Sequence, residues 1–69
     1  MISNSQKALR LAELTKLLTS ITESTRMAKR AIEANELLTA QGHVVNISVL
    51  SEMCDRRFDR LWVELGGKP

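Results

Sequence analysis

The feature that most constrains this chain is a long stretch without glycine or proline, residues 5–41. Glycine and proline are the residues that most often end a helix, so their absence favours one long helix here. Ser3, Asn4 and Ser5 lie at its start, and each can act as an N-cap by accepting a hydrogen bond from the first helical N–H groups. We therefore predict a helix that begins near residue 5 and ends near residue 41.

The apolar residues of this stretch recur with the period of an amphipathic helix. Their spacing alternates between three and four residues, which places them on one face. The large aliphatic residues are concentrated in the first half of the helix, and alanine replaces several of them in the second half. The stripe consists of Leu11, Leu14, Leu18, Ile21, Ala28 and Ile32, flanked by Leu17, Ala31 and Leu38.

The threonine- and serine-rich segment from Thr19 to Thr25 is the weak point of the predicted helix. β-Branched residues lower helix propensity, and Ser20 and Glu23 have the spacing of a capping box. A break near Thr19–Thr25 would give a three-helix bundle, which is the alternative fold. The apolar pattern resumes at Ala28 without a change of phase, however, so we predict one continuous helix.

Gly42 is the residue expected to end the first helix, because glycine readily adopts the left-handed conformation that follows a helix C-terminus. Asn46 is the expected N-cap of the next helix, which predicts a turn at residues 42–46. The second helix then covers residues 47–65, and two glycines start a tail at residues 66–69. The predicted fold is one all-α domain, residues 1–69, built as a hairpin of a long helix and a shorter antiparallel helix.

The predicted helices differ in length, at about 55 Å and nearly 30 Å for a rise of ~1.5 Å per residue. Folded back from Gly42, the short helix would cover only the second half of the long one. The first half would then expose a row of large aliphatic side chains, which is unusual for a monomer. We predict a homodimer, forming a four-helix or coiled-coil-like bundle, whose interface is Leu11, Leu14, Leu17, Leu18 and Ile21.

Size and composition limit the class of protein. A chain of 69 residues has room for one small core, which favours an oligomer or a bound partner. A single cysteine excludes an intramolecular disulfide, so a disulfide-stapled secreted scaffold is excluded. No apolar run approaches the ~20 residues of a membrane span, and the N-terminus lacks the pattern of a secretory signal. We predict a cytoplasmic protein that does not contact membranes.

Candidate catalytic groups are few. His43 is the only histidine and is expected in the turn, while Cys54 lies on the apolar stripe of the second helix, where a buried structural thiol is expected. The sequence has neither metal-ligand spacing nor a glycine-rich phosphate loop. It therefore predicts a protein that is not an enzyme and has no catalytic residues, no cofactor and no metal site.

Two basic groups and one aromatic residue are the candidates for contact with a partner. Acidic residues are interspersed with the basic ones and the net charge is only +2, which is typical of a solvated surface and does not by itself indicate nucleic acid. The candidates are Arg26, Lys29 and Arg30 in the first helix, Arg56, Arg57 and Arg60 in the second, and Trp62.

These features predict a small regulatory or adaptor protein that acts through protein–protein interaction as a homodimer. The first alternative is a nucleic-acid-binding regulator that uses both basic helix faces. The second is a helical assembly or chaperone subunit, whose leucine stripe would cover a different chain rather than its own copy.

Overall fold

The structure, a computed structural model, describes residues 2–67 and contains two helices packed as a hairpin. Helix α1 spans Asn4–Glu33 and helix α2 spans Leu37–Glu64. They contain 30 and 28 residues, so the predicted difference in length is wrong. The hairpin is flat and elongated, with principal extents of 49 × 22 × 10 Å. The all-α helical hairpin itself is confirmed.

Helix α1 begins at one of the three predicted caps. Ser3 is the N-cap, and its hydroxyl accepts a hydrogen bond from the Gln6 backbone N–H at 3.2 Å. The Gln6 side chain in turn accepts the Ser3 N–H at 3.1 Å, which completes a capping box. Two N–H groups that have no partner inside the helix are satisfied in this way.

Helix α1 continues through the threonine-rich segment, so the continuous helix is confirmed and the three-helix alternative is wrong. Threonine hydroxyls often compete with helical structure, because they offer the backbone other hydrogen bonds. Here each of four hydroxyls donates to the carbonyl four residues earlier, at 2.8–3.0 Å, and the helix is preserved. The four donors are Thr15, Thr19, Thr22 and Thr25.

The turn between the helices is centred on Asn35, which has a φ of 58°. Asparagine adopts this left-handed conformation more readily than most residues other than glycine. The Asn35 N–H donates to the Ile32 carbonyl at 3.0 Å, and the Glu36 N–H donates to the Ala31 carbonyl at 2.8 Å. These two bonds form a Schellman motif, which ends α1 well before the predicted position.

The predicted turn at residues 42–46 is wrong, because these residues are helical and lie inside α2. Gly42 is tolerated there at a cost of about 1 kcal/mol relative to alanine, which is too small to force a turn. Asn46 is not an N-cap, since its side-chain amide donates to the Ser24 hydroxyl of α1 at 2.9 Å. His43 is half-buried within α2 rather than exposed in a turn.

Replacing Gly42 with alanine is expected to stabilise the protein by about 0.5–1 kcal/mol, because alanine loses less conformational entropy when a helix forms. A Cβ atom at this position would meet no atom within 4 Å. Urea denaturation followed by far-UV circular dichroism measures the change. Destabilisation by the same substitution would contradict a helical conformation at residue 42.

Helix α2 ends where the two glycines predicted it. Gly66 has a φ of 92°, its N–H donates to the Val63 carbonyl, and the Gly67 N–H donates to the Trp62 carbonyl. These bonds form a second Schellman motif. A Cβ atom on Gly67 would lie 2.2 Å from Cε2 of Trp62, so the indole packs directly against the Gly67 backbone.

The core is a narrow seam between the two helices. At the end far from the turn, Leu14 packs with Cys54 and Leu61, and Ile2 and Leu17 cover them. Near the turn the buried seam residues are small, which leaves little side-chain volume between the helices. These small residues are Ser24, Ala28, Ala31 and Ala40.

Candidate functional site

The spacing of the seam residues assigns the remaining side chains to two opposite faces of the hairpin. Most buried and half-buried residues of each helix recur in steps of three and four, as in a two-stranded coiled coil. Each heptad contributes two residues to the seam, and the second follows the first by three positions. The residue directly after the second seam residue lies on one side of the seam, and the residue directly before the first seam residue lies on the other side.

One side of the seam carries an apolar face. Six large apolar side chains lie there, and each is 40–57% exposed. In the middle of this face the equivalent positions hold Thr25 and Ser51, which are small and polar. The apolar face is defined as Leu11, Leu18 and Ile32 of α1 with Val44, Phe58 and Leu65 of α2.

The residues that were predicted as a dimer interface lie in two different places in the structure. Leu14 is only 3% exposed and packs against α2 of the same chain, with Leu17 and Ile21 half-buried along the seam. The inference that the first half of α1 lacks cover within the chain is therefore wrong, because α2 is nearly as long as α1. Leu11 and Leu18 lie on the apolar face, and their role in a dimer stays a prediction.

The opposite side of the seam carries a cleft of about 280 Å³, here named the arginine cleft. Two of its lining residues are bridged by Glu64, with one carboxylate oxygen 3.2 Å from Nε of Arg10 and the other 3.3 Å from Nε of Arg60. A second ion pair between the helices joins Arg57 to Glu13. The cleft is lined by Arg10, Glu13, Met53, Arg56, Arg57 and Arg60.

The arginine cleft carries a small excess of positive charge. Arg56 pairs with Glu52 at 2.6 Å, so the four arginines are opposed by three glutamates, a net charge of +1. Both Arg10 and Arg60 contact Glu64 through Nε, and within residues 2–67 their terminal Nη atoms make no hydrogen bond. These guanidinium edges are available to an external carboxylate or phosphate.

The structure brings Arg56, Arg57 and Arg60 together, as predicted from their spacing along one helix. The sequence analysis missed Arg10, which joins them only because α1 and α2 are antiparallel with residue 10 opposite residue 64. The correct turn position would have given this register. Trp62 lies elsewhere, since it borders a separate groove with Phe58 and Leu65.

The other predicted basic group forms its own groove on α1. Arg26, Lys29 and Arg30 line this groove together with Glu33. Arg26 also hydrogen-bonds Glu23, and this bond, followed by the Coulomb attraction between the two charges, lowers the pKa of Glu23 and raises that of Arg26. Both side chains are exposed, so the pair adds little stability.

The two candidate catalytic groups, Cys54 and His43, lie far apart along helix α2. Cys54 is buried in the seam, and His43 lies eleven residues earlier in the same helix, about 16 Å away along its axis at ~1.5 Å per residue. In the part of the chain that the structure describes, no cluster of histidine, cysteine, aspartate and glutamate side chains could hold a metal ion. Neither α1 nor α2 has the length and apolar character needed to cross a membrane.

Comparison with known proteins assigns no role to either face. No family model matches the chain, and no curated protein and no solved structure is significantly similar to it.

Proposed function

We propose that this protein is a non-enzymatic adaptor or regulator that acts through protein–protein contact as a homodimer of helical hairpins. The apolar face is the observation that carries the proposal. Its six side chains lie on one side of the hairpin, on both sides of the small residues Thr25 and Ser51, and each keeps two fifths or more of its surface exposed. Monomeric proteins rarely expose so extended an apolar surface, which usually marks an interface.

The total surface of the hairpin supports a second copy as the occupant of this face. The chain exposes 5436 Å², against about 4,300 Å² expected for a compact protein of 7.7 kDa. The excess of about 1,100 Å² is comparable to the ~800 Å² that each partner buries in a standard interface. The radius of gyration, 15.5 Å against an expected ~11 Å, reflects the same elongated and thin shape, which is compatible with a second layer.

The apolar face is suited to pairing with itself. In a twofold dimer the same patch of each protomer must meet its own copy, so the patch has to be self-complementary. Large apolar side chains lie at both ends of the face, and small hydroxyl residues lie in the middle. The Thr25 hydroxyl already donates to the Ile21 carbonyl at 2.8 Å, so its own donor would stay satisfied when the face is covered. Two hairpins stacked through these faces form a four-helix bundle.

The test is the oligomeric state of a Leu18→Glu variant, measured by sedimentation velocity at micromolar concentration. A carboxylate at this position would be buried in the dimer, so we expect the dissociation constant to rise by about 100-fold or more. The matched control is Leu9→Glu, which introduces the same charge into the same helix on the side opposite the apolar face. Leu9 is 57% exposed, and its variant is expected to remain a dimer.

Two results would contradict the homodimer. A wild-type chain that is a folded monomer at micromolar concentration would favour the assembly-subunit alternative, in which the apolar face covers a different chain. A Leu18→Glu variant that remains as dimeric as the Leu9→Glu control would place the interface elsewhere on the hairpin.

A further inference from the structure

We infer that the arginine cleft is the docking site for an acidic amphipathic helix of another protein. Carboxylates of that helix would contact Arg56 and Arg60, and an apolar side chain beside them would cover Met53. The inference rests on the proposed function, because it names the class of partner that such an adaptor binds. It does not require the homodimer, since each hairpin contains a complete cleft.

The position of the cleft leaves it accessible in the proposed dimer. The cleft lies on the side of the seam opposite the apolar face, so stacking two hairpins through their apolar faces leaves both clefts facing outward. A homodimer would therefore present two equivalent clefts. This arrangement allows one surface to hold the assembly together while the other binds a partner.

The interior of the cleft is already ordered by ion pairs between the helices. Glu64, with only 18% of its side chain exposed, holds Arg10 from α1 and Arg60 from α2 through their Nε atoms. The Nη edges of these guanidinium groups can form paired hydrogen bonds with a carboxylate. The side chains of Arg56 and Arg60 are 77% and 75% exposed, so an incoming helix can reach both.

Apolar side chains accompany the arginines on this side of the hairpin. Met53 borders the cleft and is partly exposed, and methionine adapts its shape readily to a bound apolar group. Val49 and Val63 lie seven residues before and after Arg56 on α2, and therefore on the same side of that helix, and Met27 lies on this side of α1; all three are exposed. Such a mixture fits a helix that presents acidic and apolar residues on adjacent edges.

The charge balance favours this partner over nucleic acid. Affinity for a phosphate backbone comes from several cations that neutralise phosphates and release counterions. Three of the four arginine charges here are already balanced by Glu13, Glu52 and Glu64. A net charge of +1 would neutralise few phosphates and release few counterions. Two guanidinium edges beside an apolar group, in contrast, suffice to orient one acidic helix.

The experiment uses a fluorescein-labelled synthetic helical peptide with glutamates along one edge and leucines along the adjacent edge. Its binding to the full chain is measured by fluorescence anisotropy. We expect the double variant Arg56→Gln/Arg60→Gln to weaken binding by about ten-fold or more, because two charge-assisted contacts are lost. Neither side chain pairs with α1, so the variant is expected to keep the circular dichroism spectrum of the wild type.

Two controls separate the cleft from general electrostatic attraction. The variant Arg26→Gln/Arg30→Gln removes the same charge from the other basic group, and we expect a change of less than about two-fold because exposed, distant charges are screened. A peptide with glutamine in place of each glutamate is expected to bind at least about ten-fold more weakly, since its contacts are no longer charge-assisted.

Three results would overturn the inference: no binding of the peptide to the wild-type chain, an equal loss in both double variants, or tighter binding of a single-stranded RNA oligonucleotide that Arg56→Gln/Arg60→Gln abolishes. Sedimentation of the same samples separates this inference from the homodimer. A dimer that does not bind the peptide overturns the arginine cleft alone, and a monomer that binds it overturns the homodimer alone.

Discussion

Replacing Leu14 with alanine is expected to lower the free energy of unfolding by about 3 kcal/mol, within the range measured for buried leucines. Leu14 is only 3% exposed and packs against Cys54 and Leu61 in the buried cluster between the two helices. Removing its side chain leaves a cavity that two rigid helices can close only in part. A loss of about 3 kcal/mol is a large part of the stability of a domain of this size and raises the unfolding equilibrium constant by about two orders of magnitude.

Urea denaturation followed by circular dichroism measures this loss, at one fixed protein concentration because dimerisation would add to the apparent stability. The matched control is Leu9→Ala, in which the same atoms are removed from an exposed position of the same helix. Its effect should lie within about 0.5 kcal/mol of zero. Equal effects of the two substitutions would contradict the seam and, with it, the pairing of α1 and α2.

The second large effect is expected for Ala28→Leu, which should lower the free energy of unfolding by about 2–3 kcal/mol through overpacking. Ala28 is 6% exposed and lies in the part of the seam that is lined by small residues. A leucine there has no cavity to occupy, so it must push the helices apart or adopt a strained rotamer. Either response also disturbs the nearby hydrogen bond between Ser24 and Asn46.

Ala12→Leu is the appropriate control, because it makes the same change on the exposed side of α1. Alanine and leucine have similar helix propensities, so an effect of only a few tenths of a kcal/mol is expected. The same denaturation experiment compares the two variants. A neutral Ala28→Leu variant would mean that the helices are not closely packed near the turn.

Local features of the fold could be predicted from the sequence because they depend on residues a few positions apart. The capping residue Ser3, the continuity of α1 and the glycines that end α2 belong to this class. The position of the turn could not be predicted in this way, because local preference favours glycine in the left-handed conformation and therefore pointed to Gly42. Asn35 adopts it, and Gly42, the more permissive residue by local preference, is helical instead.

The residues of the candidate site likewise include some that local spacing groups together and others that only the packing of the two helices brings into contact. Arg56, Arg57 and Arg60 share one side of α2 because of their spacing alone, so the sequence was enough to group them. Arg10 and Glu64 are 54 positions apart, and only the antiparallel register brings them into contact. The error in the turn position moved every pairing between the helices, which is why the sequence analysis could not include Arg10 in the group.

The sequence by itself determined that the chain forms amphipathic helices with an excess of apolar surface, because periodicity and capping act over one or two helical turns. Only the tertiary structure decided which apolar residues are covered within the chain and which face outward. The physical reason is the choice of turn. A turn at Asn35 gives two helices of nearly equal length whose seams meet from end to end. The local cost of a helical Gly42, about 1 kcal/mol, is small compared with the apolar surface that this pairing buries.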